Sequence, residues 1–213
     1  MAVMLVTDRQ RFPAPRSGEV LSVPEAQAIE EILAHGVDAV QLREKDLDGG
    51  PLLARARRLR EICDAHGARL LINGRADVAR ASGADGVHLP GGGLPVAKAR
   101  EFLPVGALVG CSVHDREQLE RAQGADYVIF GPVFETISKP GYGPAQGVGG
   151  LAALVEEATM PVLGIGGIAP QNAAEVIAAG ASGVAMMGAL LDDPSCLAGL
   201  DRSVPATIFN PAD

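Results

Sequence analysis

Residues 83–89 read GADGVHL, and this short stretch sets a pattern that returns along the chain. A glycine suited to ending a helix is followed two residues later by Asp or Ser, and then by a short apolar run. The same shape occurs in three other segments, which are GVDAVQL (36–42), GADYVIF (124–130) and GASGVAM (180–186). Because apolar runs bounded by Gly and Asp are typical of buried parallel strands, the recurrence indicates repeated helix–strand units.

Four further strand-like runs separate these segments, namely VMLVT (3–7), RLLIN (69–73), ALVGCS (107–112) and PVLGIGG (161–167). Helical patterns fill the gaps, at residues 24–35, 51–66, 75–82, 95–102, 115–122, 150–157, 170–179 and 194–200. Eight strands that alternate with eight helices predict the α/β class and a single (β/α)8 TIM barrel over residues 1–213, with an irregular tail at about 201–213. The alternative is a doubly wound open sheet, which the lack of a glycine-rich turn after the first strand disfavours.

Composition and charge exclude several classes of protein. A net charge of -8 over 213 residues would repel nucleic acid and anionic membranes, so we expect neither as a partner. No apolar run approaches the roughly 18 residues of a membrane span, and the N-terminus lacks a signal-peptide pattern. The cysteines Cys63, Cys111 and Cys196 have neither CxxC nor metal-ligand spacing, which indicates reduced thiols. We therefore expect a cytoplasmic protein that binds a small molecule.

The active site of such a barrel lies at the carboxyl ends of the strands, where the second strand runs into QLREK (41–45). Period-two spacing puts Gln41, Arg43 and Lys45 on one side of the chain. Cations that converge in a cleft favour an anionic ligand, a phosphate or a carboxylate. The alternative is an internal ion pair with Asp8 or Glu44.

Glycines after the seventh and eighth strands predict a phosphate site. GIGGI (164–168) and AMMGA (185–189) would let backbone N–H groups approach a phosphate at the position where this fold commonly binds one. The alternative is tight packing between helix and strand, which also requires glycine.

Two of the four histidines follow predicted strands. His114 begins the loop after strand five, and imidazole titrates near neutral pH, so it is the candidate general acid and base. His88 ends strand four beside Pro90. It could also act as an acid or base, but it is interpreted as a structural histidine bonded to backbone, which is the alternative for His114 as well. His35 and His66 fall near helix ends and are expected on the surface.

The loop after strand six, residues 131–150, is long and rich in glycine and proline. Its polar side chains Thr136, Ser138 and Lys139 make it a candidate lid over a ligand. The alternative is a loop without a function.

An ordered set of motifs from about residue 5 to residue 190 resembles the thiamine phosphate synthase superfamily. The motifs are LVTDR, VQLREK, GADGVHL, CSVHD, GADYVIFGPVFET with the following SK, and PVLGIGGI. The resemblance implies either of two activities. The synthases join a pyrimidine diphosphate to a thiazole phosphate and need Mg²⁺, whereas the TenI-like thiazole tautomerases rearrange one thiazole compound.

Two motifs distinguish the branches of this superfamily. The synthases hold Mg²⁺ with one Asp in an IND motif and another in an HLGQxD motif. Here the corresponding stretches read Ile72-Asn73-Gly74 and HLPGGG, so that Gly74 and Gly93 stand at the two aspartate positions. Loss of both carboxylates removes the oxygen ligands of the metal. The resemblance, together with NGR and GPVFET, therefore implies the tautomerase branch, with no metal and no cofactor.

The tautomerase resemblance implies a substrate and a set of site residues. The substrate is 2-carboxy-4-methylthiazol-5(2H)-ylidene ethyl phosphate, and His114 would take the proton from ring C2 and return one to the exocyclic carbon. Backbone N–H groups would bind the phosphate, where Gly188 replaces a serine common in the family. The four residues whose backbone N–H groups would bind the phosphate are Gly166, Gly167, Met187 and Gly188. The other substrate-binding candidates are Gln41, Arg43, Lys45, Asn73, Ser112, Thr136, Ser138 and Lys139.

Two other functions stay open at this point. The QLREK motif is complete, as in the synthases, where it contacts the pyrimidine diphosphate, so thiamine phosphate synthase is one alternative. A non-catalytic regulator that binds a phosphorylated ligand is the other. Related barrels often form dimers, which makes a homodimer a candidate oligomeric state.

Overall fold

The structure is a computed structural model that describes residues 1–136, 144–200 and 208–209. The candidate site residues Ser138 and Lys139 lie outside the described residues. So does the predicted irregular tail, apart from residues 208–209.

Eight parallel strands close into one barrel in chain order, which confirms the predicted (β/α)8 fold. The strands are β1 Ala2–Val6, β2 Ala39–Leu42, β3 Arg69–Asn73, β4 Gly86–Leu89, β5 Leu108–Val113, β6 Tyr127–Phe130, β7 Val162–Ile165 and β8 Gly183–Met186. Every strand pairs in parallel with both neighbours, and β8 closes the barrel on β1, with Ala2 opposite Gly183. All eight strand carboxyl ends therefore meet at one mouth.

The helices surround the barrel close to the predicted ranges. They are α1 Val23–Ala34, α2 Gly49–His66, α3 Ala76–Ser82, α4 Val96–Phe102, α5 Arg116–Arg121, α6 Gly147–Glu157, α7 Pro170–Ala178 and α8 Gly188–Asp192. The helix predicted at 194–200 is wrong in type, because Pro194–Gly199 forms a 3-10 helix. Pro194 cannot donate a backbone hydrogen bond, and the carboxylate of Asp193 accepts from Ser195 N at 3.0 Å, which caps this separate turn. Among the described residues, no helix has the length and apolarity needed to cross a membrane.

The repeated Gly-x-Asp pattern closes the bottom of the barrel. Each pattern glycine has a positive φ, between 70° at Gly83 and 93° at Gly180, and the following strand begins three residues later. The side chain of Asp85 accepts from Leu70 N at 2.7 Å, and Asp85 N donates to Leu70 O at 2.9 Å. The same two-way contact joins Asp38 to Val3 and Asp126 to Val109.

These aspartates join the barrel strands in pairs. β2 is bound to β1, β4 to β3 and β6 to β5, each at the amino end of the strands. In the fourth pair Ser182 keeps only the main-chain contact, with Ser182 N donating to Val162 O at 2.8 Å. The four similar segments of the sequence therefore correspond to the even-numbered strands.

The lower interior of the barrel is apolar and includes a residue from the end of the chain. Phe209 is 1% exposed and packs edge-on against Tyr127, with ring centroids 5.5 Å apart. Its carbonyl accepts from Arg69 Nε at 2.9 Å, at the start of β3. The bottom of the barrel is thus closed by packed side chains, which leaves the mouth as the end where a ligand can enter.

We expect Asp85→Asn to lower the free energy of unfolding by about 2 kcal/mol at pH 7, because the contacts to Leu70 N, Arg60 and Arg69 weaken. Although burial opposes it, the hydrogen bonds from Leu70 and the two arginines lower the pKa of the Asp85 carboxyl. This stabilisation is complete above the pKa of an unfolded aspartate, about 3.9, and is lost as the pH falls through the lower pKa of the folded state.

Urea unfolding of both proteins between pH 7 and pH 3 measures the effect, and the difference should shrink as the pH falls below about 4. The matched control is Asp64→Asn, whose exposed carboxylate pairs with the same Arg60. A loss for Asp85→Asn no larger than that of this control would contradict the role of the aspartate.

Candidate active site

The barrel mouth contains two adjoining cavities of about 250 Å³ each, and His114 lines both. One cavity, which we call the glycine half, is lined mainly by backbone and apolar groups, among them Thr136, Gly166, Gly167, Met187 and Gly188. The other, the polar half, is lined by Arg43, Lys45, Asn73, Pro90, Gly91, Ser112 and Gln118. Most of the predicted site residues therefore meet around one histidine.

His114 is the first residue after β5, and two contacts fix it. Its backbone N donates to Gln118 Oε1 at 3.1 Å, and its ring Nδ1 forms a short hydrogen bond with Gly131 O. Because a carbonyl oxygen only accepts, Nδ1 carries the proton, and in the neutral ring the lone pair is then on Nε2. The geometry gives the mouth one imidazole nitrogen able to act as a base.

A buried network holds the end of β2 beneath the polar half. Glu44 accepts from Thr7 Oγ1 at 2.8 Å and from Arg9 N at 3.1 Å, and Thr7 Oγ1 in turn accepts from Arg43 N at 3.0 Å. Burial raises the pKa of the Glu44 carboxyl. The network directs Glu44 towards β1 and leaves the neighbouring residues Arg43 and Lys45 to line the cavity.

This arrangement bears on the two interpretations of Arg43, an internal ion pair or an anionic ligand. Glu44 is 3.8 Å from Arg9 Nε, so its ion pair is with Arg9. Within the described part of the chain, the Arg43 guanidinium makes no ion pair, although it lines the cavity. The described residues therefore do not show the internal ion pair for Arg43, and the anionic ligand stays a prediction.

Two residues differ from what their position in the sequence indicates. Gln41 is not part of the described lining of either cavity and is buried at 3% exposure, with Nε2 3.5 Å from Met4 Sδ. His88 is buried, and its two ring nitrogens contact side chains, whereas the sequence predicts a bond to backbone. They lie 3.2 Å from the Tyr127 hydroxyl and 2.8 Å from Ser112 Oγ.

In the glycine half, two closely packed glycines also line the cavity. Gly166 and Gly167 have φ of 99° and 60°, and a Cβ on Gly166 would lie 2.6 Å from Pro132 Cβ. The loop after β6 crosses here, with Val133 N donating to Ile165 O at 2.8 Å. Close packing thus explains why both residues are glycine. Both also line the cavity, so their main chain forms part of its wall.

Met187 precedes the first residue of α8, which is Gly188. The first N–H groups of a helix have no acceptor within the helix, so they are available to a ligand.

Sequence reasoning missed two residues of the mouth. Gln118 fixes the main chain of His114 and lines the polar half, and its only sequence signal is a position four residues after the histidine. Arg11 Nη1 lies 3.6 Å from the place that a Cβ on Gly188 would take, and Arg11 pairs with Asp192. A cation in the turn after β1 was the available signal for it.

The residues present do not fit a divalent cation. Mg²⁺ requires oxygen ligands, usually carboxylates, and the described lining of the polar half has two cations and no carboxylate. Gly74 has a φ of 71°, and a Cβ on Gly93 would lie 2.9 Å from Pro90 O, so neither backbone is set for a side chain. Among the described residues, no group of three His, Cys, Asp or Glu side chains could hold a metal.

Comparisons with known proteins agree on one family. The family model described as thiamine monophosphate synthase (TMP-TENI) matches residues 3–190. A putative thiamine-phosphate synthase of Geobacter sulfurreducens is 47% identical over 195 residues, which are 91% of this chain and 88% of that protein. A thiamine-phosphate synthase of Methanoculleus marisnigri is 46% identical over 162 residues, 75% of this chain and 77% of the relative.

A solved structure is similar as well. The thiamine phosphate pyrophosphorylase of Pyrococcus furiosus superposes with a TM-score of 0.77 at 30% identity, covering 92% of this chain and 93% of that one. Structures below 25% identity, such as a 3-hexulose-6-phosphate synthase at 20% with a TM-score of 0.61, show the shared barrel alone.

We expect Thr7→Val to lower the free energy of unfolding by about 1–3 kcal/mol, because Glu44 and Arg43 N each lose a buried hydrogen-bond partner. The matched control is the exposed Thr159, for which the same change should stay within about 0.5 kcal/mol. Urea unfolding at pH 7 measures both. Equal losses in the two variants would mean that the network does not hold the end of β2.

Proposed function

The chain belongs to the thiamine monophosphate synthase family, and within it we propose that this protein is a thiazole tautomerase of thiamine biosynthesis. One observation carries the proposal. His114 stands between a cavity suited to a phosphate and a cavity suited to a second anion, and the described lining of the second cavity contains no carboxylate.

The proposed substrate has two anionic groups on opposite sides of a thiazole ring. Its phosphate would bind the glycine half, where the N–H groups near Gly167 and Gly188 can donate to it. Its carboxylate would bind the polar half, between Arg43 and Lys45, with Asn73 and Ser112 as further donors. The ring carbon that bears the carboxylate would then lie beside His114.

The reaction is an isomerisation, so it requires no second substrate. His114 Nε2 takes the proton from ring C2, and the C2 electron pair moves into the ring. The exocyclic double bond shifts, and a proton from the imidazolium is transferred to the exocyclic carbon, which leaves an aromatic thiazole. Because Nδ1 stays bonded to Gly131 O, Nε2 can both remove the C2 proton and return a proton to the exocyclic carbon. The cations of the polar half stabilise the negative charge that develops near the carboxylate.

Thiamine phosphate synthase is the second candidate. The names of the relatives favour it over the tautomerase, and the complete QLREK stretch is consistent with a diphosphate ligand. What opposes it is the donor set, since Gly74 and Gly93 provide no side-chain carboxylate for the Mg²⁺ that the synthases need. The tautomerase accounts for both glycines and for His114.

We expect His114→Gln to lower kcat for aromatisation of the thiazole tautomer by about 10²–10⁴-fold, because glutamine cannot accept the C2 proton. The absorbance of the aromatic thiazole measures the rate. His66→Gln, on the exposed end of α2, is the matched control and should leave kcat unchanged. Turnover by His114→Gln at the rate of the control would remove the histidine from the mechanism.

We expect aromatisation to continue at the same rate in excess EDTA, because the described lining of the two cavities contains no carboxylate for a metal. The companion assay supplies the pyrimidine diphosphate, the thiazole phosphate and Mg²⁺, and should form little thiamine phosphate. Thiamine phosphate formation at a rate above that of aromatisation would instead establish the second candidate.

A further inference from the structure

Three side chains form a line of hydrogen bonds from the apolar interior of the barrel to the polar half. Tyr127 begins β6 and is 0% exposed, His88 in β4 is 1% exposed, and Ser112 in β5 lines the cavity. The Tyr127 hydroxyl is 3.2 Å from His88 Nδ1, and His88 Nε2 is 2.8 Å from Ser112 Oγ. Neither Tyr127 nor His88 is used by the proton transfer proposed above.

The tyrosine determines which groups donate and which accept in this series of hydrogen bonds. Burial raises the pKa of the Tyr127 hydroxyl well above its usual value, so the group keeps its proton. Within the described part of the chain, His88 Nδ1 is the hydrogen-bond partner of this hydroxyl. A buried O–H that cannot reach water must donate, and therefore Nδ1 of His88 accepts.

The protonation of His88 in turn determines the direction of its hydrogen bond with Ser112. A neutral imidazole that accepts at Nδ1 carries its proton at Nε2, so His88 donates to Ser112 Oγ at 2.8 Å. A protonated His88 would have a proton on Nδ1 and would leave the tyrosine O–H without its acceptor. Ser112 Oγ accepts from His88 in this hydrogen bond. The hydroxyl proton of Ser112 can therefore be donated only to a group other than His88.

We propose that Tyr127 and His88 are positioning residues that commit Ser112 to donating its hydroxyl proton into the polar half. The hydroxyl proton of Ser112 then needs an acceptor on the ligand, such as a carboxylate oxygen, and a ligand group that can only donate would leave this proton without a partner. The identity of this ligand as the thiazole carboxylate rests on the proposed function. The direction of the hydrogen bonds rests on the three side chains alone.

The first test reads the direction without any ligand. In the wild-type protein, nitrogen-15 NMR of the His88 ring should show an unprotonated Nδ1 and a protonated Nε2. Tyr127→Phe removes the donor and should broaden or shift these signals, because both tautomers become accessible. A wild-type ring with its proton on Nδ1 would overturn the proposal.

The second test compares two ligands by calorimetry, the aromatic thiazole phosphate carboxylate and the same thiazole phosphate without the carboxylate. Ser112→Ala should weaken binding of the carboxylated ligand by about tenfold and leave the other unchanged, because a hydrogen bond to a charged group is lost. Tyr127→Phe should weaken only the carboxylated ligand, and should have no further effect when combined with Ser112→Ala.

Two replacements of His88 distinguish a role in positioning Ser112 from a role in core packing. The amide of His88→Gln can accept from Tyr127 and donate to Ser112, so it should retain the preference for the carboxylated ligand, whereas His88→Leu should lose it. Thermal unfolding of each variant reports whether it is folded. Equal weakening of both ligands in Tyr127→Phe, or no difference between His88→Gln and His88→Leu, would overturn the proposal. If neither ligand binds the wild-type protein, the proposed function fails, and the ring NMR still decides the direction.

Discussion

The fold depends on a carboxylate that bridges two strands at the bottom of the barrel. Asp38, Asp85 and Asp126 each follow a left-handed glycine by two residues, and each receives a backbone N–H from the preceding strand while donating its own. A parallel pair joined in this way cannot slip, because a shift by one residue would break both contacts and reverse every side chain. The register fixed at the bottom then determines which side chains reach the mouth.

At the mouth, that register produces two chemically different halves. β2 ends in a buried network through Thr7 and Glu44, which leaves Arg43 and Lys45 facing the cavity. β7 ends in glycines that the loop after β6 requires for close packing, which leaves main chain facing the other cavity. His114 lies where the halves meet. A ligand with two separated anionic groups is the chemistry that this division favours.

Much of this organisation could be predicted from sequence, because it follows from local patterns. Apolar runs and glycines predict the order of strands and helices. The positions of His114 and Arg43 directly after strands predict that both belong to the active site. Contacts between distant residues left no local signal. The bond between Asp85 and Leu70, the depth of Gln41 inside the barrel and the side-chain partners of His88 depend on register across the sheet. The roles of Ser138 and Lys139 remain predictions, as both lie outside the described residues.

A crystal structure with the thiazole phosphate carboxylate bound tests the central claim most directly. The account predicts the phosphate against Gly167 and Gly188, the carboxylate between Arg43 and Lys45 with Ser112 as a further donor, and the ring C2 within reach of His114 Nε2. Both anionic groups in one half, or a ring turned away from His114, would contradict it.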